Sequence, residues 1–535
     1  MMKRLSRRSV LHMAGAGVLG AFAAPALVGC TGGPARHWSK GDPFSLGVAA
    51  GDPASDGFIL WTRLAPEPQS LDPATPGGMT GGPVTVEYEI ATDPALRDIV
   101  RRGTAVAEPD YAYSVHAEVN GLAPGRPYWY RFTSGGAASR TGRAMTAPAA
   151  GAALDRLRFA FVSCANYEHG YFAAYRHLTD EQPDLVLFLG DYIYEYVDMR
   201  PAVVRRHSEG IDCVTLSSYR NRYAQYRLDP DLQRLHAEIP CLMTWDDHEV
   251  QNDYAADLSP SFMPRELFLA RRAAAYRAFY EHMPVRPGRS RPNGPDMRVY
   301  DRFAFGDLVE ISILDGREYR SAEACYGPPP RHGGFHLETN QSCPERLDPS
   351  RTMLGMEQEA WLFDGLSRSH ARWNVIGQDV LMAQFRQKRP GDTLPAFSTD
   401  DWNGYPASRD RLLRHITANR VRNVVVAGGD IHSFFVNDLK ENFDDERSPV
   451  IATEFVGTSI ASWGPPYDRL AAALPDNPHV HFFDSRQRGY VMVDATPARM
   501  SVRLQSVGDA ANPNAPLATL RSYVVEDGRP GALPA

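Results

Sequence analysis

The chain has 535 residues, of which 43% are hydrophobic, 10% aromatic and 23% charged, with 44 Gly and 42 Pro. That length favours more than one domain, and the composition excludes a globally disordered or collagen-like protein. A net charge of −7 leaves no basic footprint for a nucleic-acid backbone, and with lysine only at Lys3, Lys40, Lys388 and Lys440, nearly every cation is Arg.

Residues 1–29 read as an export signal: Arg7-Arg8 precede a run from Val10 to Leu27 that contains no Asp, Glu, Lys or Arg. The Arg pair resembles the twin-arginine signal, which makes that export machinery a partner. Leu27-Val28-Gly29-Cys30 resembles a bacterial lipobox, with Cys30 acylated as the mature N-terminus. The alternative is ordinary cleavage near Ala24-Pro25-Ala26, with Cys30 discarded or simply buried. Loss of the four basic residues of this segment takes the net charge from −7 to −11. No later stretch reaches the length of a membrane span. The expectation is an exported protein, periplasmic or extracellular, soluble or held by a lipid tether only.

Residues 42–147 show short alternating strands: Phe58 to Thr62, Val84 to Ile90, Ser114 to Val119 and Tyr128 to Thr133. This predicts an all-β sandwich of the immunoglobulin or fibronectin kind, with Tyr128 closing a corner after the turn Leu122 to Pro127. Ala147 to Ala153 reads as a linker. Over 154–510 strand-like runs (Leu157 to Val162, Leu185 to Leu189, Leu242 to Thr244, Val309 to Leu314, Trp373 to Ile376, Asn423 to Ala427) alternate with helix-period segments, which predicts an α/β layer fold. Residues 511–535 read as a closing strand and a Pro-rich tail. Cys325 and Cys343 flank a Pro- and Gly-rich loop that a disulfide would restrain; Cys213 and Cys241 either pair or sit in the core.

In α/β sheets the functional side chains stand just past the carboxyl ends of strands. Here those junctions read Ser163-Cys164, Gly190-Asp191-Tyr192-Ile193-Tyr194-Glu195, Trp245-Asp246-Asp247-His248-Glu249, Gly377-Gln378-Asp379 and Gly428-Gly429-Asp430-Ile431-His432. Singly, each has a bland explanation: a helix-capping Asp, a buried Cys, a hydrogen-bonded His, and Asp379 fits that explanation best. Together they place several anions at one rim, where they coexist ionised only with cations among them. A thiolate and a phenolate suit a transition metal such as iron, whereas carboxylates and an amide oxygen suit a harder ion such as calcium. Asp191 and Tyr194 face one way if they lie on a helical turn, as do Asp430 and His432 on an extended end.

These residues resemble the calcineurin-like metallophosphoesterase motifs, with Cys164 for the first Asp, Asp247 for the Asn of GNH(D/E), Gln378 for the lone His, and Asp430 for the first His of GHxH. Those departures resemble the PhoD-like alkaline phosphatase/phosphodiesterase family, as do Gly47 to Pro53, Leu60 to Arg63, Leu314 to Arg320 and Glu454 to Ser459. The resemblance implies a four-layer α+β metallophosphoesterase sandwich holding ferric iron with one or two calcium ions. It implies an iron site of Cys164, Asp191, Tyr194 and His432, with Asp191 bridging to a second site of Asp247, Gln378 and Asp430; Asp246 competes with Asp247 as ligand. The implied activity is hydrolysis of phosphate esters by in-line attack of a metal-bound hydroxide.

His248 is the candidate proton donor or phosphoryl holder, the alternative being that it only orients a ligand; Arg317 and Tyr319 are candidates for holding substrate oxygens. Gly457-Thr458-Ser459-Ile460-Ala461 lacks the second Gly of a nucleophile elbow, and no Walker-type loop is present. The competing readings are a phospholipase-D-like diesterase acting on phospholipid head groups and a catalytically inactive surface binding protein.

Overall fold

The computed structural model describes Trp38 and residues 41–535 apart from 329, 330, 332, 389, 390 and 392. The signal segment and Cys30 lie outside the described residues.

Three apolar runs, Leu157–Val162, Leu185–Leu189 and Cys241–Thr244, form adjacent parallel strands within a ten-stranded sheet. Both faces of these strands are covered, which is why they carry no polar alternation. Phe159, Phe161, Leu185, Leu187 and Leu189 point into a core shared with a second sheet. Ala160, Val162, Val186, Phe188 and Met243 pack instead on the helices Ala173–Asp180, Leu216–Arg227, Pro230–Glu238 and Arg265–His282.

The second sheet has seven strands in the order Asp301–Phe305, Val309–Ile313, Trp373–Gly377, Val424–Gly428, Val450–Val456, Phe434–Lys440 and Val480–Asp484. Leu362 and Leu366 of the helix Gly355–Arg368, with Leu412, Leu413 and Ile416 of Pro406–Ala418, cover its outer face. The layers therefore run helix, sheet, sheet, helix, as the resemblance implies.

The N-terminal sandwich is present and shares a sheet with the rest. Val48–Ala54, Gly57–Arg63 and Ser114–Val119 continue the ten-stranded sheet, joined where Gly51 pairs in parallel with Cys241. The smaller sheet of Ile99–Ala107, Val84–Ala91 and Pro127–Ser134 closes over them around Leu60, Val86, Val115 and Tyr130. Tyr128 fixes the corner, its hydroxyl accepting from the Ala123 N–H at 3.0 Å and lying 3.2 Å from the Ala123 carbonyl.

At the other edge Arg488–Ala495, Arg499–Val507 and Leu517–Glu526 add antiparallel strands. The Pro-rich segment read as a tail is itself the edge strand Arg529–Pro534, a position where a missing N–H is tolerated. Cys325 and Cys343 form a disulfide with 6.0 Å between Cα atoms, while Cys213 and Cys241 are buried free thiols and do not pair. No helix among the described residues is long and apolar enough to cross a membrane.

Candidate metal centre

The strands Leu157–Val162, Leu185–Leu189 and Cys241–Thr244 of the first sheet, and Trp373–Gly377 and Val424–Gly428 of the second, release their chains at one rim. Cys164, Asp191, Asp246, Asp379 and Asp430 follow within two residues of those ends. Two local expectations are corrected here. Asp191 to Tyr194 form no helical turn, and Asp430 to His432 are not extended. Instead Cys164 (φ 61°), Asp191 (φ 54°), Asp430 (φ 63°) and His432 (φ 51°) all adopt the left-handed backbone region, which costs energy for a residue with a Cβ and clusters at functional sites. Gly190 makes the approach possible: a Cβ there would lie 2.4 Å from the Asp246 Cβ.

Three groups of ligand atoms, each within 4.8 Å of one another, result: Cys164, Asp191 and His432; Asp191, Asp247 and His248; Asp246, Asp247 and Asp430. Asp191 links the first to the second and Asp247 the second to the third, so the three form one chain of donors.

At the first end hydrogen bonds pre-set the donors. The Tyr194 hydroxyl lies 2.8 Å from Asp191 Oδ2 and 2.9 Å from His432 Nε2, and accepts from Ser462 Oγ at 2.8 Å. One phenolic proton cannot serve both of the first two acceptors, whereas a cation between them would satisfy both. His432 Nδ1 donates to the Trp463 carbonyl at 2.8 Å, which leaves Nε2 as the lone pair facing the cluster. Burial, reinforced by Arg488, lowers the His432 pKa to about 3 and keeps the ring neutral, as a ligand must be.

At the other end carboxylate oxygens are left bare. Asp246 Oδ2, Asp247 Oδ1 and both oxygens of Asp379 are buried without a hydrogen-bond partner among the described residues. Burial, followed by mutual repulsion, raises the Asp246 and Asp430 carboxyls well above their usual range; burial and the carboxylates of Asp191 and Asp430 do the same to the Cys164 thiol. An all-anionic set is unstable in this position, and cations relieve it. The donors thus fit metal ions on the chemistry of the protein alone.

His248 stands between the two ends. Its backbone N–H donates to Asp191 Oδ1 at 3.3 Å and its Nδ1 to Glu195 Oε2 at 2.7 Å, leaving Nε2 without a hydrogen bond among the described residues. Burial opposes charge on the ring, but Asp247, Asp191 and Glu195 outweigh it and raise its pKa well above the usual value.

Three residues singled out in the sequence are placed differently. Gln378 Oε1 accepts from the Val380 N–H at 3.1 Å and from Trp402 Nε1 at 3.0 Å, so its amide braces the loop, while the buried carboxylate of its neighbour Asp379 lies 3.7 Å from Arg317 Nε. A Cβ on Gly316 would come within 2.4 Å of the Asp379 carboxylate. Arg317 is buried, paired through Nε to Asp246 and bidentate to Asp400 at 2.8 and 2.9 Å, with no face left for substrate. Tyr319 has its ring edge-on to Tyr300, with centroids 5.8 Å apart.

Sequence reasoning gave Glu249 no role, although it stands in the quoted junction, and missed Asp400 altogether. Glu249 is buried and accepts from the N–H groups of Asp191 (3.1 Å), Tyr192 (2.6 Å) and Asp246 (3.0 Å), tying two ligand loops together. It lies inside the Asp246 to Glu249 motif, which was the signal available; Asp400 lies in no motif.

A family model described as "PhoD-like phosphatase" matches residues 159–504, and one described as "PhoD-like phosphatase, N-terminal domain" matches residues 31–148. The chain belongs to the PhoD-like phosphatase family. It is 43% identical over 496 residues to alkaline phosphatase D of Bacillus subtilis (strain 168), covering 91% of this chain and 82% of that protein. A solved structure titled "Structure of PhoD" superposes with a TM-score of 0.87 at 42% identity, covering 94% of this chain and 93% of the other. Metal binding by the PhoD-like site and the four-layer fold are consistent with both.

Proposed function

We propose that the chain is an exported, metal-dependent phosphoric ester hydrolase whose centre is the linked set Cys164, Asp191, Asp246, Asp247, Asp430 and His432, with Tyr194 beside it and Gln378 or its neighbour Asp379 completing the acidic end. Membership of the PhoD-like phosphatases makes it a phosphoric ester hydrolase. The observation that carries the site assignment is the row of buried, partnerless carboxylate oxygens beside a phenol, a thiol and an imidazole already oriented toward one point. The thiol, phenol and imidazole end suits ferric iron and the carboxylate end suits one or two calcium ions. Beside Gln378, its neighbour Asp379 offers the stronger calcium donor.

Ions bound there would polarise a phosphoryl group and activate a water. The protein's own part falls to neighbouring groups. Glu195 holds the His248 ring through Nδ1, so that Nε2 is free to donate a proton to a leaving oxygen or to hold a phosphoryl oxygen. Arg317 does not touch substrate in this scheme; it balances Asp246 and Asp400. The intact donor set argues against an inactive binding protein. Phospholipid head groups share the phosphodiester chemistry and remain within the same substrate class. Arg7-Arg8 and the uncharged run that follows them in residues 1–29 support export, with Cys30 either lipid-modified or not.

The test is elemental analysis of the purified protein together with hydrolysis of a chromogenic phosphate ester before and after chelation. Iron and calcium per chain, and activity that is lost to chelator and restored by calcium, are expected. Full activity in metal-free protein would overturn the reading.

A further inference from the structure

We infer that a cavity of about 190 Å³ beside Asp430 is the subsite for an apolar ester group, aryl or short alkyl, on the phosphate hydrolysed at the metal centre. This rests on the functional reading above and adds the substrate class to it. Asp430 belongs both to the acidic donor cluster and to the cavity lining, so a phosphate at the cluster would direct one substituent into this space. The walls there are Phe335, Phe385, Ile431 and Leu470, with Arg469 also in the lining. The volume equals roughly six waters at about 30 Å³ each, enough for a phenyl ring or a short alkyl chain.

The charged groups in the lining do not favour a cationic occupant. Asp400 is held by Arg317 and Arg320, and Asp401 accepts from the Asn403 N–H at 2.7 Å and side-chain amide at 2.8 Å. Ser398 Oγ accepts from the Asp400 N–H at 3.3 Å, and Gln387 and Arg469 form a polar margin, so the aromatic and aliphatic walls of Phe335, Phe385, Ile431 and Leu470 are what an apolar substituent would meet.

The cavity wall is also tied to the chemistry. The Phe335 N–H donates to Asp253 Oδ2 at 3.0 Å, and the Asp253 N–H donates to Asp247 Oδ2 at 2.5 Å, so a donor of the metal cluster positions the loop that carries Phe335. The Cys325–Cys343 disulfide brackets that loop, and its strand Leu337–Thr339 pairs with Ala396–Ser398 beside the cavity. Phe335 is 45% exposed, so its ring is the outermost of the apolar walls.

The test uses the metal-loaded full chain and two inhibitors that are not hydrolysed, methylphosphonate and phenylphosphonate, each competing with one chromogenic phosphate ester. Phenylphosphonate is expected to bind at least about tenfold tighter, the discrimination an apolar pocket gives. Phe335→Ala, at a half-exposed position that folding tolerates, should reduce that preference several-fold, and Leu470→Phe, which fills the cavity, should abolish it. Equal inhibition constants in the parent enzyme, or a preference that survives both substitutions, overturn the assignment while leaving the hydrolase reading intact. Absence of any hydrolysis by the metal-loaded chain overturns the hydrolase reading and this inference with it.

Discussion

At one end of the metal centre the Tyr194 hydroxyl has Asp191, His432 and Ser462 within 2.8–2.9 Å, whereas at the other Asp246 Oδ2, Asp247 Oδ1 and both oxygens of Asp379 are buried with no hydrogen bond among the described residues. The first end is organised by the protein: Ser462 and the Trp463 carbonyl set the phenol and the imidazole. The second is organised against the protein's own electrostatics, since burial and repulsion raise the carboxyls of Asp246 and Asp430. The lesson is that the two ends should respond differently to loss of cations. Hydrogen bonds can hold the first end in place, while the second relies on Arg317, helped by His248 at Asp247, to offset its charge.

The largest expected effect breaks the carboxylate end. Chelation should lower hydrolysis by about a thousandfold or more, since cation stabilisation of a phosphoryl transition state is worth several kcal/mol. Asp247→Asn should do the same and reduce the calcium content, because Asp247 belongs to two of the three donor groups. Undiminished turnover in either case would place the chemistry elsewhere.

Arg317 comes next. Replacing it with Met removes the counter-charge of Asp246 and Asp400, and breaking a buried pair this way costs about 3–5 kcal/mol. The expected readout is a fall in thermal midpoint that is smaller in calcium-loaded than in stripped protein. A variant of parental stability with a raised KM would instead return Arg317 to the substrate-binding role read from the sequence.

The hydrogen-bonded end should be more forgiving. Tyr194→Phe keeps the ring that packs against His248, with centroids 4.1 Å apart, and loses only the hydroxyl. Activity should fall about ten- to a hundredfold, and any visible charge-transfer band of the iron should disappear. A band that persists unchanged would remove Tyr194 from the ligand set.

The same contrast explains what the sequence could and could not reveal. Leu157–Val162 and Leu185–Leu189 were legible to the residue because strands covered on both faces are uninterrupted apolar runs. The helix Leu216–Arg227 was invisible: ten of its twelve residues are buried, including Arg220, Asn221, Arg222 and Arg227, so no apolar stripe alternates with a polar face. In the site, Cys164, Asp191, Tyr194 and His432 were legible because they fall in short motifs at strand ends. Gln378 and Asp379 were not separable, since a backbone that departs from a regular strand end decides which of two neighbours points inward. Asp400 reaches Arg317 from 83 residues away, through a loop with no pattern of its own.

Acid offers the finest way to separate the metal centre from the scaffold. Away from the site, His116 is stacked on Tyr280 with its Nε2 donating to the Tyr280 and Met283 carbonyls, and His479 donates to the Gln384 carbonyl at 2.6 Å. Burial lowers both to about 4 against the usual 6.5; Arg291 reinforces this at His116, and Arg386, Arg409 and Lys440 at His479. A group with a depressed folded pKa that is charged when protonated binds more protons in the unfolded chain between those values. Its stabilising contribution is therefore complete above pH 6.5 and is lost as pH falls toward 4, at up to about 1.4 kcal/mol per pH unit for each histidine. In stripped protein His116→Gln and His479→Gln should each remove this part of the loss in thermal midpoint between pH 7 and pH 5, while the raised carboxyls of Asp246 and Asp430 act in the opposite sense in parent and variants alike. Metal-loaded protein should decline more steeply still, because protons also displace cations from the carboxylate end. Equal slopes with and without metal would mean that protons do not displace cations from the carboxylate end over this range.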